Sequence, residues 1–323
     1  MLSELMQPSP DVGDIAAAAD RIRGAATRTP LEHSPWLSRV AGAPVYLKLE
    51  SAQPTRSFKQ RGAANAIALL DAGQRARGVV TASAGNHGLA VAYAAARSGV
   101  TAKVYVPAGA PSVKKERIRA LGAELDETSA NYDAAEAAAA SWAAANGAHF
   151  LHAFSDPAVV AGQGTVGLEI LEDLPEVANV IVPVGGGGLA AGVGLVLRGR
   201  APQVRLVGVQ STETRAMYDA YAAGGIVPSP ITPTLADGLA GCTDEAAYAR
   251  LRPLLGRIDL VPEGALLPAI RAAFEMHGIV MEGAAAVGIA ALLSGAVHVG
   301  GPTAIIITGG NIDGAVLARA LLS

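Results

Sequence analysis

Val180-Ile181-Val182-Pro183-Val184-Gly185-Gly186-Gly187-Gly188-Leu189 decides how this chain is read. Its first five residues are apolar and largely β-branched, the pattern of a buried strand. The run 189–197 has helical character. Four glycines between them let backbone amides converge at a helix start, where the dipole favours an anion. A tight strand-to-helix turn needs fewer glycines than four, so a phosphate is the favoured occupant. No Lys-Ser/Thr follows and the spacing is not G-x-G-x-x-G, so neither a Walker loop nor a dinucleotide fingerprint is present.

The same alternation extends outward in both directions. Strands are expected at 45–49, 78–82, 102–106, 123–125, 204–209 and 303–307. Helices are expected at 63–70, 88–97, 112–121, 132–146, 164–173, 266–277, 284–294 and 314–322. Residues 222–242 are loop-like, with Pro228, Pro230 and Pro233. Strands alternating with helices specify an α/β class built from βαβ units, with a parallel sheet covered on both faces.

Composition narrows the function classes. The 323 residues are 51% hydrophobic and 16% charged, which is globular and not disordered. Mean hydropathy is +0.34, carried by Ala and Gly with only 4% aromatics. No apolar run is long enough to span a bilayer, and Asp11, Asp14 and Asp20 interrupt the segment where a secretory leader would lie. A single cysteine, Cys242, fits a reducing cytosol. Net charge is −3 with scattered Lys and Arg, so no nucleic-acid partner is expected.

Three further loops carry chemistry. Ser57-Phe58-Lys59-Gln60-Arg61-Gly62-Ala63 places a lysine at a helix start, where the positive dipole disfavours the ammonium form. Phe58 beside it can stack on a ring. Ser83-Ala84-Gly85-Asn86-His87-Gly88 joins a strand to a helix and suits a carboxylate, through exposed amides and the Ser83 and Asn86 side chains. Asn86 is also placed to donate to a ring oxygen. His87 has two readings, a general base or a histidine bonded to backbone. Thr308-Gly309-Gly310-Asn311 follows a strand and offers a hydroxyl to a heterocycle nitrogen.

These four motifs, in this order and at strand ends, resemble the fold-type II enzymes that use pyridoxal 5′-phosphate (PLP). The match is nearest to the serine/threonine dehydratase and serine racemase group. It runs from Thr29-Pro30-Leu31 to Thr308-Gly309-Gly310-Asn311 and includes 236–240 and Glu282-Gly283-Ala284-Ala285. The resemblance implies two Rossmann-like domains of the tryptophan synthase β-subunit type, with PLP between them. A small inserted domain is expected over 43–154. The large one would comprise 1–42 and 155–323, with no C-terminal regulatory domain. The implied Schiff-base lysine is Lys59, with Phe58 against the ring, Asn86 on the phenolic oxygen and Thr308 facing the pyridine nitrogen. Gly185, Gly186, Gly187, Gly188 and Leu189 cradle the phosphate. Ser83, Ala84, Gly85, Asn86 and His87 grip the substrate carboxylate, and Glu282 and Gly283 border the ring. The implied reaction is α,β-elimination of water from an L-3-hydroxy amino acid of the threonine or serine type, yielding a 2-oxo acid and ammonia. Phenylserine and 3-hydroxyaspartate are alternative substrates. A cytoplasmic homodimer is the family expectation.

Three departures qualify the resemblance. Racemases of this family have a serine at the position of Ala84 that serves as the second acid/base, and alanine cannot transfer a proton. Dehydration with little racemisation follows. Arg56 stands where the family has a small residue, often glycine. It pairs either with a distal acidic group of the substrate or with a surface acid. Some members bind a divalent cation at an acidic run after a strand. Here that run is Gln210-Ser211-Thr212-Glu213, a glutamine leads it, and hard cations prefer carboxylates. No metal is expected, with Glu213 and Asp219 the acids that remain. β-Replacement, as in cysteine synthases, is disfavoured, because those enzymes resemble Thr-Ser-Gly-Asn-Thr-Gly at the carboxylate loop. A binding module without catalysis is disfavoured by Lys59, Asn86 and the glycine run.

Overall fold

The computed structural model describes residues 9–230, 232–241 and 243–322, so Cys242 lies outside it. Among the described residues there are ten strands: β1 (Leu31–His33), β2 (Val45–Leu49), β3 (Val79–Ala82), β4 (Ala102–Pro107), β5 (Glu124–Ser129), β6 (His149–Phe150), β7 (Asn179–Pro183), β8 (Arg205–Ser211), β9 (Ile258–Val261) and β10 (Thr303–Ile307). They form two sheets, and the chain divides into two compact units. The first unit takes the described segment through Thr27 together with Lys59–Gln163. The second takes Arg28–Phe58 and Gly164 onward.

The first unit holds a four-stranded parallel sheet in the order β5-β4-β3-β6. Successive strand residues point to opposite faces, and β3 shows the consequence. Val79 packs with Ala63, Ile67, Ala90 and Val91 from the helices Lys59–Ala68 and Asn86–Ser98. Val80 and Ala82 pack with Ala135, Ala139 and Ala143, spaced one helical turn apart on Tyr132–Asn146. That helix starts and stops where local chemistry dictates. Asn131 accepts from the Ala134 amide, and Gly147 ends it in the left-handed region at φ 63.

The second unit holds a six-stranded sheet in the order β1-β2-β10-β7-β8-β9. It is parallel except at one edge, where β1 runs antiparallel to β2, a departure from the expected parallel sheet. Leu47, Leu49, Ile181, Val207, Val209, Ile305 and Ile307 face the helices Leu266–His277 and Gly283–Leu293. On the other face, a Cβ at Gly194 of the helix Gly188–Arg200 would sit 3.1 Å from Leu206. Lys48 is wholly buried, and its ammonium meets Glu169 at 2.7 Å and the Thr29 carbonyl at 2.7 Å.

The unit boundaries differ from those drawn on the sequence. β2 was expected in the small domain, yet it pairs with β10 in the second sheet, Val45 opposite Thr303. The N-terminal helix Val12–Arg21 belongs with the first unit. Arg21 bonds Asn65 at 2.5 Å, and the Ala25 carbonyl accepts from Gln60. The helix expected at 164–173 begins at Pro157, since proline is well placed in a first turn. A helix, Ala216–Ala223, reaches into the start of the segment read as loop. Among the described residues no helix is long and apolar enough to cross a membrane.

Candidate active site

In the first unit, Lys59 is the first residue of its helix, and its Nζ donates to the Ala153 carbonyl at 2.8 Å. Desolvation pushes its pKa down from the ordinary lysine value to about 8. A neutral amine is a nucleophile and a base, whereas an ammonium is neither. The carbonyl that receives it belongs to a turn shaped by His152. The Nδ1 of His152 accepts from the amides of Phe154 (3.4 Å) and Ser155 (3.1 Å), and its Nε2 lies 3.3 Å from Glu136. No sequence signal marks Ala153, because the group that matters there is a backbone oxygen.

The loop from Ser83 to His87 joins β3 to the helix Asn86–Ser98. Ser83 Oγ accepts from the Gly85 amide at 3.1 Å, and Gly85 caps the helix without a side chain. That leaves a helix start suited to an anion. Ala84 and Asn86 are half-buried in the same loop. A Cβ at Gly88 would lie 2.0 Å from the Ser83 carbonyl, so only glycine lets the loop close on its helix. His87 is 3% exposed, and its Nε2 meets the Leu151 carbonyl at 3.1 Å. Burial, reinforced by nearby Lys59, pulls its pKa down to about 3. A neutral ring spending its N–H on a backbone carbonyl matches the backbone-bonded reading of His87, not the general base.

In the second unit, the residues leading up to Lys59 are zipped onto the loop after β10. Phe58 N donates to the Thr308 carbonyl at 3.1 Å, and Ser57 bridges Gly309 antiparallel. Gly310 N donates to the Arg56 carbonyl at 2.9 Å, and Asn311 Nδ2 donates to the Thr55 carbonyl at 2.9 Å. Glu282 closes the far side. Its amide donates to the Gly309 carbonyl, and its carboxylate accepts from Asn311 N at 3.2 Å. A Cβ at Gly309 would fall 2.4 Å from that carboxylate, which explains the paired glycines after Thr308. Phe58, Thr308 and Glu282, singled out separately in the sequence, thus belong to one hydrogen-bonded unit.

The glycine run lies between β7 and the helix Gly188–Arg200. Gly187 has φ 94, in the left-handed region, and caps the helix without a side-chain hydrogen bond. A Cβ at Gly185 would stand 3.2 Å from Leu239 Cα. The segment 234–239 is held in turn by Glu263, which accepts from Thr234 Oγ1 at 3.0 Å and from Leu235 N at 2.5 Å. A helix start with glycine on both sides and no capping side chain fits a phosphate. A desolvated lysine amine fits an aldehyde. The donor set therefore fits PLP.

The two remaining acids are engaged elsewhere. Glu213 accepts from Thr232 Oγ1 at 2.6 Å, and Asp219 pairs with Arg215 at 2.8 Å. Gln210 donates to the Thr214 carbonyl and accepts from Tyr218 N. Among the described residues no group of three or more His, Cys, Asp or Glu could hold a metal ion.

Comparison with known proteins follows the same lines. The family model described as pyridoxal-phosphate dependent enzyme matches residues 22–309. The L-threonine ammonia-lyase of Geobacter sulfurreducens is 42% identical over 301 residues, covering 93% of this chain and 75% of that protein. The catabolic L-threonine dehydratase of Escherichia coli strain K12 is 38% identical over 306 residues, covering 94% and 93%. The structure of maize serine racemase superposes with a TM-score of 0.92 at 32% identity, covering 98% of each chain.

Proposed function

The chain belongs to the pyridoxal-phosphate dependent enzymes of fold-type II, and from that premise we propose that it is an ammonia-lyase that dehydrates an L-3-hydroxy amino acid of the threonine or serine type. The observation that carries the proposal is the Lys59 amine, desolvated to a pKa of about 8 and resting 2.8 Å from the Ala153 carbonyl. Bound PLP supplies an electron sink for the charge left when the α-proton departs. Lys59 would hold the cofactor, and its neutral amine would be the base that takes that proton. Ala153 orients that amine. Gly185 to Leu189 would hold the phosphate through backbone N–H groups, and Asn86 would donate to the ring oxygen. The Thr308 hydroxyl would be the partner of the ring nitrogen, a weaker one than a carboxylate, which would favour loss of the β-hydroxyl over transamination. Amides of the Ser83–His87 loop bind the substrate carboxylate. Phenylserine and 3-hydroxyaspartate belong to the same class of substrate. A cytoplasmic homodimer is part of the same proposal.

A 2-oxo acid release assay with L-threonine, L-serine, phenylserine and 3-hydroxyaspartate tests the reaction. Activity on at least one is expected, and silence on all four would end the dehydratase reading. Lys59→Ala is expected to abolish both turnover and the visible absorbance of the lysine-linked cofactor. Retention of that absorbance would move the linkage to another lysine. Likeness to serine racemase makes racemisation the second reading. Ala84 opposes it, because Lys59 is then the sole side-chain base at the α-carbon. Interconversion of L- and D-serine is expected to be far slower than elimination, and Ala84→Ser is expected to raise it.

A further inference from the structure

Arg56 is the one non-glycine residue with positive φ among the described residues, at φ 58. This region disfavours any side chain with a Cβ. It follows a turn in which Arg56 N donates to the Gln53 carbonyl at 2.7 Å with Pro54 at the second position. Such a turn, followed by a left-handed residue, is how a chain re-enters antiparallel pairing, and glycine is the residue that does it without strain. The next residue, Ser57, does enter pairing, opposite Gly309.

What the arginine adds is a grip on Gly310. Its Nε donates to the Gly310 carbonyl at 3.3 Å, while its own carbonyl accepts from Gly310 N at 2.9 Å. A Cβ at Gly310 would lie 2.7 Å from Arg56 Nη2, so the guanidinium fills the space that this glycine leaves open. Neither partner ion expected from the sequence is needed for this arrangement. Strained residues that persist do so where the surroundings hold them, most often at functional sites.

We propose that Arg56 is a positioning residue that fixes Thr308 through Gly310, and so sets the environment of the cofactor's ring nitrogen. The proposal rests on the reading of Thr308 given above. Its backbone strain is retained because the side-chain clamp holds the loop 308–311 in register, which glycine at 56 would leave to the backbone bonds alone.

The test compares Arg56→Gly, Arg56→Lys, Thr308→Ala and the double variant Arg56→Gly/Thr308→Ala. Arg56→Gly is expected to raise the melting temperature of the cofactor-free protein by about 1–3 °C, as relief of left-handed strain does in a chain of this size. The same variant is expected to bind PLP about tenfold more weakly, the effect of one lost hydrogen bond. Arg56→Lys keeps a donor at the same backbone and is expected to bind PLP within about threefold of the parent. The double variant is expected to bind no more weakly than Thr308→Ala. Three results would overturn the proposal: a raised melting temperature with PLP affinity unchanged, a lowered melting temperature in Arg56→Gly, or penalties of Arg56→Gly and Thr308→Ala that multiply. If Lys59→Ala keeps the visible absorbance while these affinities behave as expected, the lysine reading fails and the Arg56 clamp stands.

Discussion

At the scale of single residues, the site depends on what burial does to ionisable groups. Lys59 has a pKa of about 8 where an ordinary lysine would stand near 10.5. At pH 8 roughly half of its amine is neutral, against roughly 0.3% for an unperturbed lysine. The neutral fraction rises with pH, so reaction of the cofactor-free protein with PLP is expected to accelerate from pH 6 to 9 with a midpoint near 8. Stopped-flow absorbance checks this, and a midpoint near 10.5 would mean that the amine is not desolvated. His87 is pulled in the same direction much further, to about 3, so it stays neutral across this range and adds no second inflection. The sequence places Lys59 at a helix start, as the structure does, but only the three other motif loops single it out from an ordinary lysine. The alternatives for His87 were not separable there, because the carbonyl that decides between them belongs to Leu151.

At the scale of elements, glycines mark where two pieces of backbone come too close for a side chain. Gly88→Ala would drive a methyl group into the Ser83 carbonyl. The change is expected to cost at least about 2 kcal/mol by denaturant unfolding and to weaken substrate binding, since the loop must move. A Gly88→Ala protein with parental stability would show that the loop yields freely. β2 makes the opposite point. Leu47 and Leu49 go into the apolar core, while Lys48 between them goes to the far face and meets Glu169. Lys48→Ala leaves that carboxylate without its buried partner and is expected to cost about 3–5 kcal/mol in the same measurement. The elements themselves were mostly legible. The strand 45–49, the helix 132–146 and the strand 303–307 lie where periodicity places them. The strands Leu31–His33 and His149–Phe150 are too short to show a period.

At the scale of the molecule, the chain crosses between its units at the bond joining Phe58 to Lys59. PLP that binds only the folded chain adds about 2.7 kcal/mol of stability at a concentration one hundred times its Kd. Thermal melts with and without PLP are expected to show that gain in the parent and much less of it in Lys59→Ala. Equal melting temperatures with and without PLP in the parent would count against cofactor binding by the folded chain.

The amino-acid sequence by itself determined the α/β class and the places of the glycine run, the Ser83–Gly88 loop and the Thr308–Asn311 loop after strands. These rest on interactions within a few residues: capping by Asn131, the glycine run, the spacing of alanines. Tertiary structure alone decided that β2 joins β10, that the described residues through Thr27 go with the unit beginning at Lys59, and that Arg56 sits at positive φ to hold Gly310. Strand partners and a side chain's distant acceptor are set by packing between segments far apart in the chain, and no local pattern of residue types encodes them.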